Sequence, residues 1–434
     1  MADTTETTPA TALPATRVRQ RARPAPAAKV QPVAEGTRVG PTGDDLADTL
    51  DGDLTGLDLD LAADAPPSPL DDKDSEIAQL LKASQKRFGT HTIMRASARP
   101  TFRHCTTGSF MLDLAMLGGV PMGLVTMLTG WQHCGKSATG DAITANFQKA
   151  LPDMVASKVD IEGTYDPIWG AKGGMDNENL LLIQPTTGED ACDLVDSVVR
   201  ARETSIVMVD SIAGLIPLKE IEASTEDSVM GKYAQLVSRF CRKLQQAILD
   251  ERKRDHWVTV LLVNQWRMGM VQYGDPRVLP GGKATPYLAS YHYDILAKEE
   301  VVTGKNSHSP TGLDIGGASH NLMTFKRMKN KLGNGLKEAE TTFIRNPFHP
   351  LGERAYDEAE AVLGEAKKRG LCTGSGDDGR KPPYRLWNLD EKFKSLAEMV
   401  AYLYSDLDYY DALKHQVICH ARGIMGMDTK NWRL

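Results

Sequence analysis

The sequence predicts an α/β fold. A mainly parallel central sheet is covered by helices, preceded by a short N-terminal helix and followed by a small C-terminal α+β domain. Three observations predict it. Apolar β-type runs alternate with helical patterns between residues 124 and 263, as successive βαβ units require. Two of these runs, 206–209 and 258–263, are apolar apart from Thr259, as strands buried on both faces should be. A glycine-rich turn joins the first strand of the series to its helix.

The elements follow in order. Residues 1–74 are rich in Thr, Ala, Pro and Asp and poor in aromatics, so they bury too little surface to offset ordering entropy and read as a disordered tail. The tail has a basic arm (Arg17, Arg19, Arg21, Arg23, Lys29) and an acidic stretch from Asp44 to Asp74. Arg and Thr would suit an organelle transit peptide, but Asp3, Glu6 and the acidic stretch weaken that reading. Order should begin near Ser75, with Ile77, Leu80 and Leu81 at helical spacing and Gly89 as the stop. Strands are predicted at 124–128, 155–161 and 180–183, besides the two named above. Helices should start at Lys136 and Glu189, and a long one should cover 233–249. After Pro347 the pattern turns helical, at 354–368 and 392–420, around a Gly- and charge-rich segment at 373–383. The expected division is therefore a tail (1–74), a helix and linker (75–105), a core (106–346) and a C-terminal domain (347–434).

Composition narrows the function. The chain has 434 residues, 41% of them hydrophobic, enough for a core, and no apolar run nears the ~18–20 residues of a membrane span. The six scattered cysteines form no C-x-x-C pair, which argues against a zinc module or a disulfide framework and suits a reducing cytoplasm. The net charge of −6 is concentrated in the tail. Residues 1–75 hold 7 Lys/Arg against 14 Asp/Glu, leaving 44 basic and 43 acidic groups to the rest. Any affinity for nucleic acid must then come from local patches.

Gly130-Trp131-Gln132-His133-Cys134-Gly135-Lys136-Ser137 matches G-x-x-x-x-G-K-[ST]. Such a loop closes backbone N–H groups round phosphate oxygens, Lys136 adds charge for the terminal phosphates, and the Ser137 hydroxyl can bind Mg²⁺. A plain Gly-rich turn is the alternative, and the strand before and helix after disfavour it. Asp210 ends a buried strand, where such folds hold metal-bound water. Glu162 follows another strand and could orient or deprotonate the attacking water; taken alone it reads as a surface glutamate.

At this point the chain resembles the bacterial RecA recombinase family, over roughly Ser75 to Lys337. The resemblance rests on Lys86-Arg87-Phe88-Gly89 with Ile93-Met94-Arg95, Thr107-Gly108-Ser109, Leu112-Asp113 and Gly119-Val120-Pro121-Met122-Gly123. It continues through Asp160-Ile161-Glu162, Asp166-Pro167, Gln184-Pro185, Thr187-Gly188-Glu189, Val209-Asp210-Ser211 and Asn264-Gln265. It implies a RecA-type ATPase core that uses ATP and Mg²⁺ and forms a helical filament of this chain on single-stranded DNA. The filament would pair that strand with a homologous duplex and exchange strands. Single-strand-binding and loader proteins are implied as further partners, with no membrane.

The resemblance also implies roles. Glu162 would be the water-activating carboxylate, and Asp166 and Trp169 would contact adenine. Gln265 would sense the γ-phosphate, and Lys329 and Lys331 would reach the neighbouring subunit's ATP. DNA would be held by a first segment near 222–231, with Met230, and a second near 266–282, with Arg267, Met270, Tyr273, Gly281 and Gly282. Ser238 and Arg242 would assist from the helix between. Glycine N–H groups, arginine charge and methionine wedges suit stretched single strands. Without the resemblance, Lys329 and Lys331 read as a solvated basic strand end and the two segments as ordinary loops. The chain departs from the family at Gln235, Gly269, Pro286 and Arg345, and carries His133 and Cys134 where the family has small polar residues. These departures fit a viral or otherwise distant member and put DNA and ATP coupling in question. The rival readings are a ring-shaped helicase, disfavoured by residues 86–95 and the lysine pair, and an ATP-binding DNA scaffold without turnover, disfavoured by Glu162.

Overall fold

The computed structural model describes residue 68 and residues 70–89, 92–99, 101–223, 231–269, 275–300, 320–345, 351–373 and 384–423. The expectations for the tail through residue 67, for Met230, Met270 and Tyr273, for residues 374–383 and for 427–434 lie outside the described residues. By contact the chain divides into Met1–Asp72 and Lys73–Leu434, and every helix and strand described belongs to the second unit.

That unit opens with helix α1 (Glu76–Phe88). Strands β1 (His104–Cys105) and β2 (Val120–Pro121) flank helix α2 (Phe110–Met116), and strand β3 (Val125–Gly130) runs into helix α3 (Lys136–Ala150). Next come β4 (Val155–Asp160), α4 (Pro167–Lys172), β5 (Leu180–Ile183), α5 (Gly188–Arg200) and β6 (Thr204–Asp210). A short α6 (Leu218–Glu222) precedes the long α7 (Lys232–Lys253) and β7 (Thr259–Val263). The pair β8 (Arg267–Met268) and β9 (Arg277–Val278) is followed by α8 (Ala284–Leu288), β10 (Tyr291–Glu300), β11 (His320–Asn330), β12 (Glu338–Ile344) and β13 (Tyr356–Asp357). Helices α9 (Ala359–Lys368), α10 (Leu396–Ser405) and α11 (Leu407–Ala421) close it.

Among the described residues nine strands form the main sheet, in the order β13-β12-β11-β10-β3-β7-β6-β4-β5. From β10 to β5 every pairing is parallel; β11, β12 and β13 extend the sheet by antiparallel pairing. The mainly parallel sheet expected from the sequence is present, with an antiparallel wing that the sequence did not suggest. One apolar core, with Met127, Val207, Leu262, Phe240 and Leu244, lies between the sheet and α5 and α7; the other, with Leu128, Met208, Leu261, Ile143 and Phe147, lies between it and α2 and α3.

Local chemistry sets the element ends. The Ser75 hydroxyl accepts from the Ala78 N–H to cap α1, and Gly89, at φ 91°, ends it. No residue of α1 is buried, and Ile77, Leu80 and Phe88 are about half exposed. Two expected helices are corrected. The helix expected from Arg354 begins only at Ala359, because Tyr356 and Asp357 pair with β12 as an edge strand and Arg354, at φ 69°, turns its guanidinium inward. The helix expected over 392–420 is two helices. Asp406 ends α10, and its carboxylate accepts from the Tyr409 N–H to start α11.

Helices α9 to α11 pack on one another around Tyr410, Leu413 and Val417, and on Phe110 and Leu114 of α2. Buried Glu358 ties α2 to this region. Its carboxylate accepts from the Ser109 hydroxyl, the N–H groups of Phe110 and Met111, and the Thr341 hydroxyl. A carboxylate on the first-turn amides of a helix is favoured by both hydrogen bonding and the helix dipole. Among the described residues no helix is long and apolar enough to cross a membrane. All six cysteines are free thiols.

Candidate active site

Chain turns at the ends of β3, β4, β6 and β7 carry the expected catalytic groups to one end of the parallel strands, where α/β sheets hold their ligands. The 130–137 loop leaves β3 and enters α3. A Cβ on Gly130 would stand 2.4 Å from Cys134 Sγ and 2.5 Å from the Ile295 carbonyl oxygen, so only glycine fits. Gly135 has φ 90°, which favours glycine again. No side chain caps the N-terminus of α3, which leaves its first-turn amides for an anion. Lys136 Nζ donates to the Trp131 carbonyl at 2.6 Å and lies 3.7 Å from Cys134 Sγ. Burial pushes the Cys134 thiol pKa up, against the pull of Lys136.

The Ser137 hydroxyl lies close enough to the Asp210 carboxylate to favour its charged form. A hydroxyl and a carboxylate are hard oxygen donors of the kind Mg²⁺ prefers, so the pair fits that ion. Burial pushes the Asp210 pKa up, while Lys158 and Ser137 oppose it. Lys158 is a residue that sequence reasoning missed. It sits in the middle of β4, 2.6 Å from Asp141 and 3.7 Å from Asp210, its ammonium 4.7 Å above the Tyr165 ring. Arg354 reaches the same Asp141 at 3.3 Å from 213 residues away. A lysine inside an otherwise buried strand was the one available signal, since such a group must be paired.

Glu162 leaves β4 and lies beside Gln265. Gln265 Nε2 donates to Glu162 Oε1 at 2.9 Å, and the Ser211 hydroxyl donates to the same oxygen at 2.8 Å. The chain around Glu162 is shaped by Asp160, which accepts from the N–H groups of Thr164 and Tyr165 and from Gln184 Nε2. Asp166 caps α4 through the Ile168 N–H. Trp169 is partly exposed, with the Arg354 guanidinium 4.8 Å and the Lys172 ammonium 5.6 Å from its ring centroid. One route to its indole is therefore shared with cations.

Lys329 and Lys331 stand apart from this group. Lys329 Nζ donates to the carbonyls of Pro286 and Tyr287, and its pKa is lowered by burial and by Lys331. Neither lysine has a hydrogen bond or ion pair to residues 130–137 among the described residues.

The described DNA candidates lie on α7 and at the roots of the second segment. Ser238 is half-buried and Arg242 exposed on α7. Arg267 donates to the Ala213 carbonyl, and Tyr233, at the start of α7, donates to the Ile212 carbonyl, so the roots of both segments meet just after β6. Gly281, at φ 80°, lies where a Cβ would come within 2.6 Å of Val237 Cγ1; Gly282, at φ 68°, has open space. A second network unforeseen from sequence runs inward from here. Asp294 on β10 accepts from Trp266 Nε1 at 2.5 Å and from the Thr129 hydroxyl at 3.0 Å, and pairs with Arg277 at 3.4 Å. Both roots of the second segment are thereby tied to the residue preceding the phosphate loop.

The family model described as the RecA N-terminal domain matches residues 75–346. The chain is 34% identical over 278 residues to Protein RecA of Herpetosiphon aurantiacus, covering 63% of this chain and 73% of that protein. It is 33% identical over 280 residues to Protein RecA of Roseiflexus castenholzii, covering 63% and 74%. It is 34% identical over 282 residues to Protein RecA of Kineococcus radiotolerans, covering 64% and 76%.

Proposed function

Because this chain belongs to the RecA family, we propose that it is an ATP-dependent recombinase that assembles on single-stranded DNA and carries out homologous pairing and strand exchange in the cytoplasm. The observation that carries the proposal is the convergence of Lys136, Ser137, Asp210, Glu162 and Gln265 at one end of the parallel strands, with Gln265 at the root of the second DNA segment. ATP is the substrate. The amides at the start of α3 and Lys136 bind its phosphates, and Ser137 with Asp210 would hold Mg²⁺, which supplies charge neutralisation on the phosphates. Asp166 and Trp169 border the base.

Glu162 holds the attacking water and takes its proton. Gln265 and Ser211 fix the carboxylate that does so, and Gln265 lets DNA on the second segment alter its aim. Lys329 and Lys331 act on the nucleotide of the next subunit, which fits their separation from their own phosphate loop and makes turnover a property of the filament. Arg242, Arg267, Gly281 and Gly282, with Ser238 and the residues of both segments, grip the backbone of the strand. Base pairing then selects the duplex. We assign α1 to contact with the next subunit and the tail to regulation.

The test is a phosphate-release assay with and without single-stranded DNA, run beside a filtered DNA-binding assay. The proposal expects DNA-stimulated release in the parent, and neither release nor nucleotide-dependent DNA binding in Lys136→Ala. Release that ignores DNA would contradict it.

A further inference from the structure

The ends of the parallel strands opposite the phosphate loop carry a second concentration of chemistry. The turns entering β4, β6 and β7, with residues flanking β1 and β2, enclose a hollow of about 510 Å³. Its floor is apolar, made by Met122, Leu151, Met154 and Trp257, and Arg103, Arg202 and Arg254 stand at its rim. On the other side of Trp257 a second hollow, of about 430 Å³, is bordered by Ile93, Met94, Arg99 and Arg252.

The cations here outnumber their partners. Glu251 is fully buried and already engaged by Arg254 at 2.8 Å and His256 at 3.2 Å. Asp255 accepts from the Trp257 indole N–H, and Asp250 pairs with Lys253 and Arg200. Among the described residues no carboxylate pairs with Arg99, Arg103, Arg202 or Arg252. Arg252 has a buried Nε with no hydrogen-bond partner. Its guanidinium pKa is pushed down by burial and by the charge of Arg99. A buried donor left unmet and two guanidiniums bordering one hollow ask for an anion.

We propose that this paired hollow docks an acidic peptide segment of a partner protein, one that seats a large apolar side chain on the Met122–Trp257 floor while its carboxylates meet the arginines. The shape favours a peptide over a nucleic acid. The hollows, at about 510 and 430 Å³, each have room for more than one side chain of a peptide, and the arginines border two concavities on either side of Trp257 and not a continuous track such as a phosphate backbone would follow. Trp257 is held in place between the hollows, its N–H engaged by Asp255 and Phe102 packed against it with centroids 5.9 Å apart. The strands between this face and the active site are five to seven residues long, a separation of roughly 15–20 Å at about 3.3 Å per residue. The partner could therefore be held while ATP and DNA occupy the other end.

The probe is a short fluorescent peptide of alternating Asp and Leu, titrated by anisotropy against the full chain loaded with ATP and single-stranded DNA. Saturable binding is expected, weakened about tenfold in the doubly substituted Arg103→Ala, Arg202→Ala chain and to a similar degree when Ser replaces Leu in the probe. Both arginines are exposed, and DNA-stimulated phosphate release should match the parent, which reports an intact fold. Equal affinity for parent and variant would overturn the proposal. So would equal affinity for the Leu and Ser probes, or a short DNA duplex that displaces the probe and itself depends on the two arginines.

Discussion

At the scale of single residues, the phosphate loop could be read from the sequence because its chemistry is contiguous: eight residues between a strand and a helix state it completely. Glu162, Asp210 and Gln265 each read weakly alone and gained meaning from the resemblance and then from their meeting in space. Lys158, Asp141 and Arg354 could not be read, because their partners lie 17 and 213 residues apart in the chain. Two predictions belong here. Glu162→Ala should retain ATP-dependent DNA binding and lose turnover by at least about 10²-fold, since only water activation is removed. Parent-rate phosphate release from that variant would show that the water is activated elsewhere. Lys158→Met should leave two buried carboxylates, Asp141 and Asp210, without their shared cation, a loss on the order of 3–5 kcal/mol in unfolding free energy. Denaturant titration measures this, and a loss under 1 kcal/mol would mean that the cation matters little to the fold.

At the scale of elements, the parallel strands were legible because burial on both faces makes them apolar from end to end. The antiparallel wing was not. Along β11, Met323 and Phe325 are buried while Lys326 is exposed, so polar residues dilute each run. The helix boundary missed at residue 354 has a similar cause: a charged residue at a strand edge reads as helical surface until its buried partners are seen. Helix α1 was legible to its caps, and its exposed Ile77 and Leu80 are where the proposed contact with the next subunit would form. Ile77→Asp with Leu80→Asp should leave the monomer's unfolding midpoint unchanged, as neither side chain is buried, and prevent filament formation seen by electron microscopy. Normal filaments from that variant would remove α1 from the interface. The lysine pair gives a complementary expectation. Lys329→Ala, Lys331→Ala protein mixed with Glu162→Ala protein should recover part of the DNA-stimulated turnover that each lacks, because some interfaces then hold one intact half of each kind. Mixed filaments without any recovery would contradict a site shared between subunits.

At the scale of the whole molecule, buried titratable groups tie the sheet's stability to pH. Burial lowers the pKa of His104 to about 4, with Arg422 adding to the shift, and that of His292 to about 4, with Lys329 adding. A lowered histidine pKa gives stability that is present above the unfolded value of 6.5 and lost as pH falls through about 4, on the order of 3 kcal/mol for each. Asp113 has the opposite sign. Burial raises its pKa to about 7, so its contribution is full below 3.8 and lost as pH rises through about 7. Between about pH 4 and 6.5 the two histidines oppose and outweigh Asp113, so denaturant melts should show stability rising with pH over that range, and His292→Gln should flatten the rise.

Exchange of DNA strands through a nucleotide-gated filament is read out by reacting a circular single strand with its linear homologous duplex. Joint molecules and exchanged product should form from the parent with ATP and Mg²⁺, and none without nucleotide or with Lys136→Ala. Failure of the parent to form joint molecules under conditions where it coats the single strand and hydrolyses ATP would contradict it, as would equal product without nucleotide.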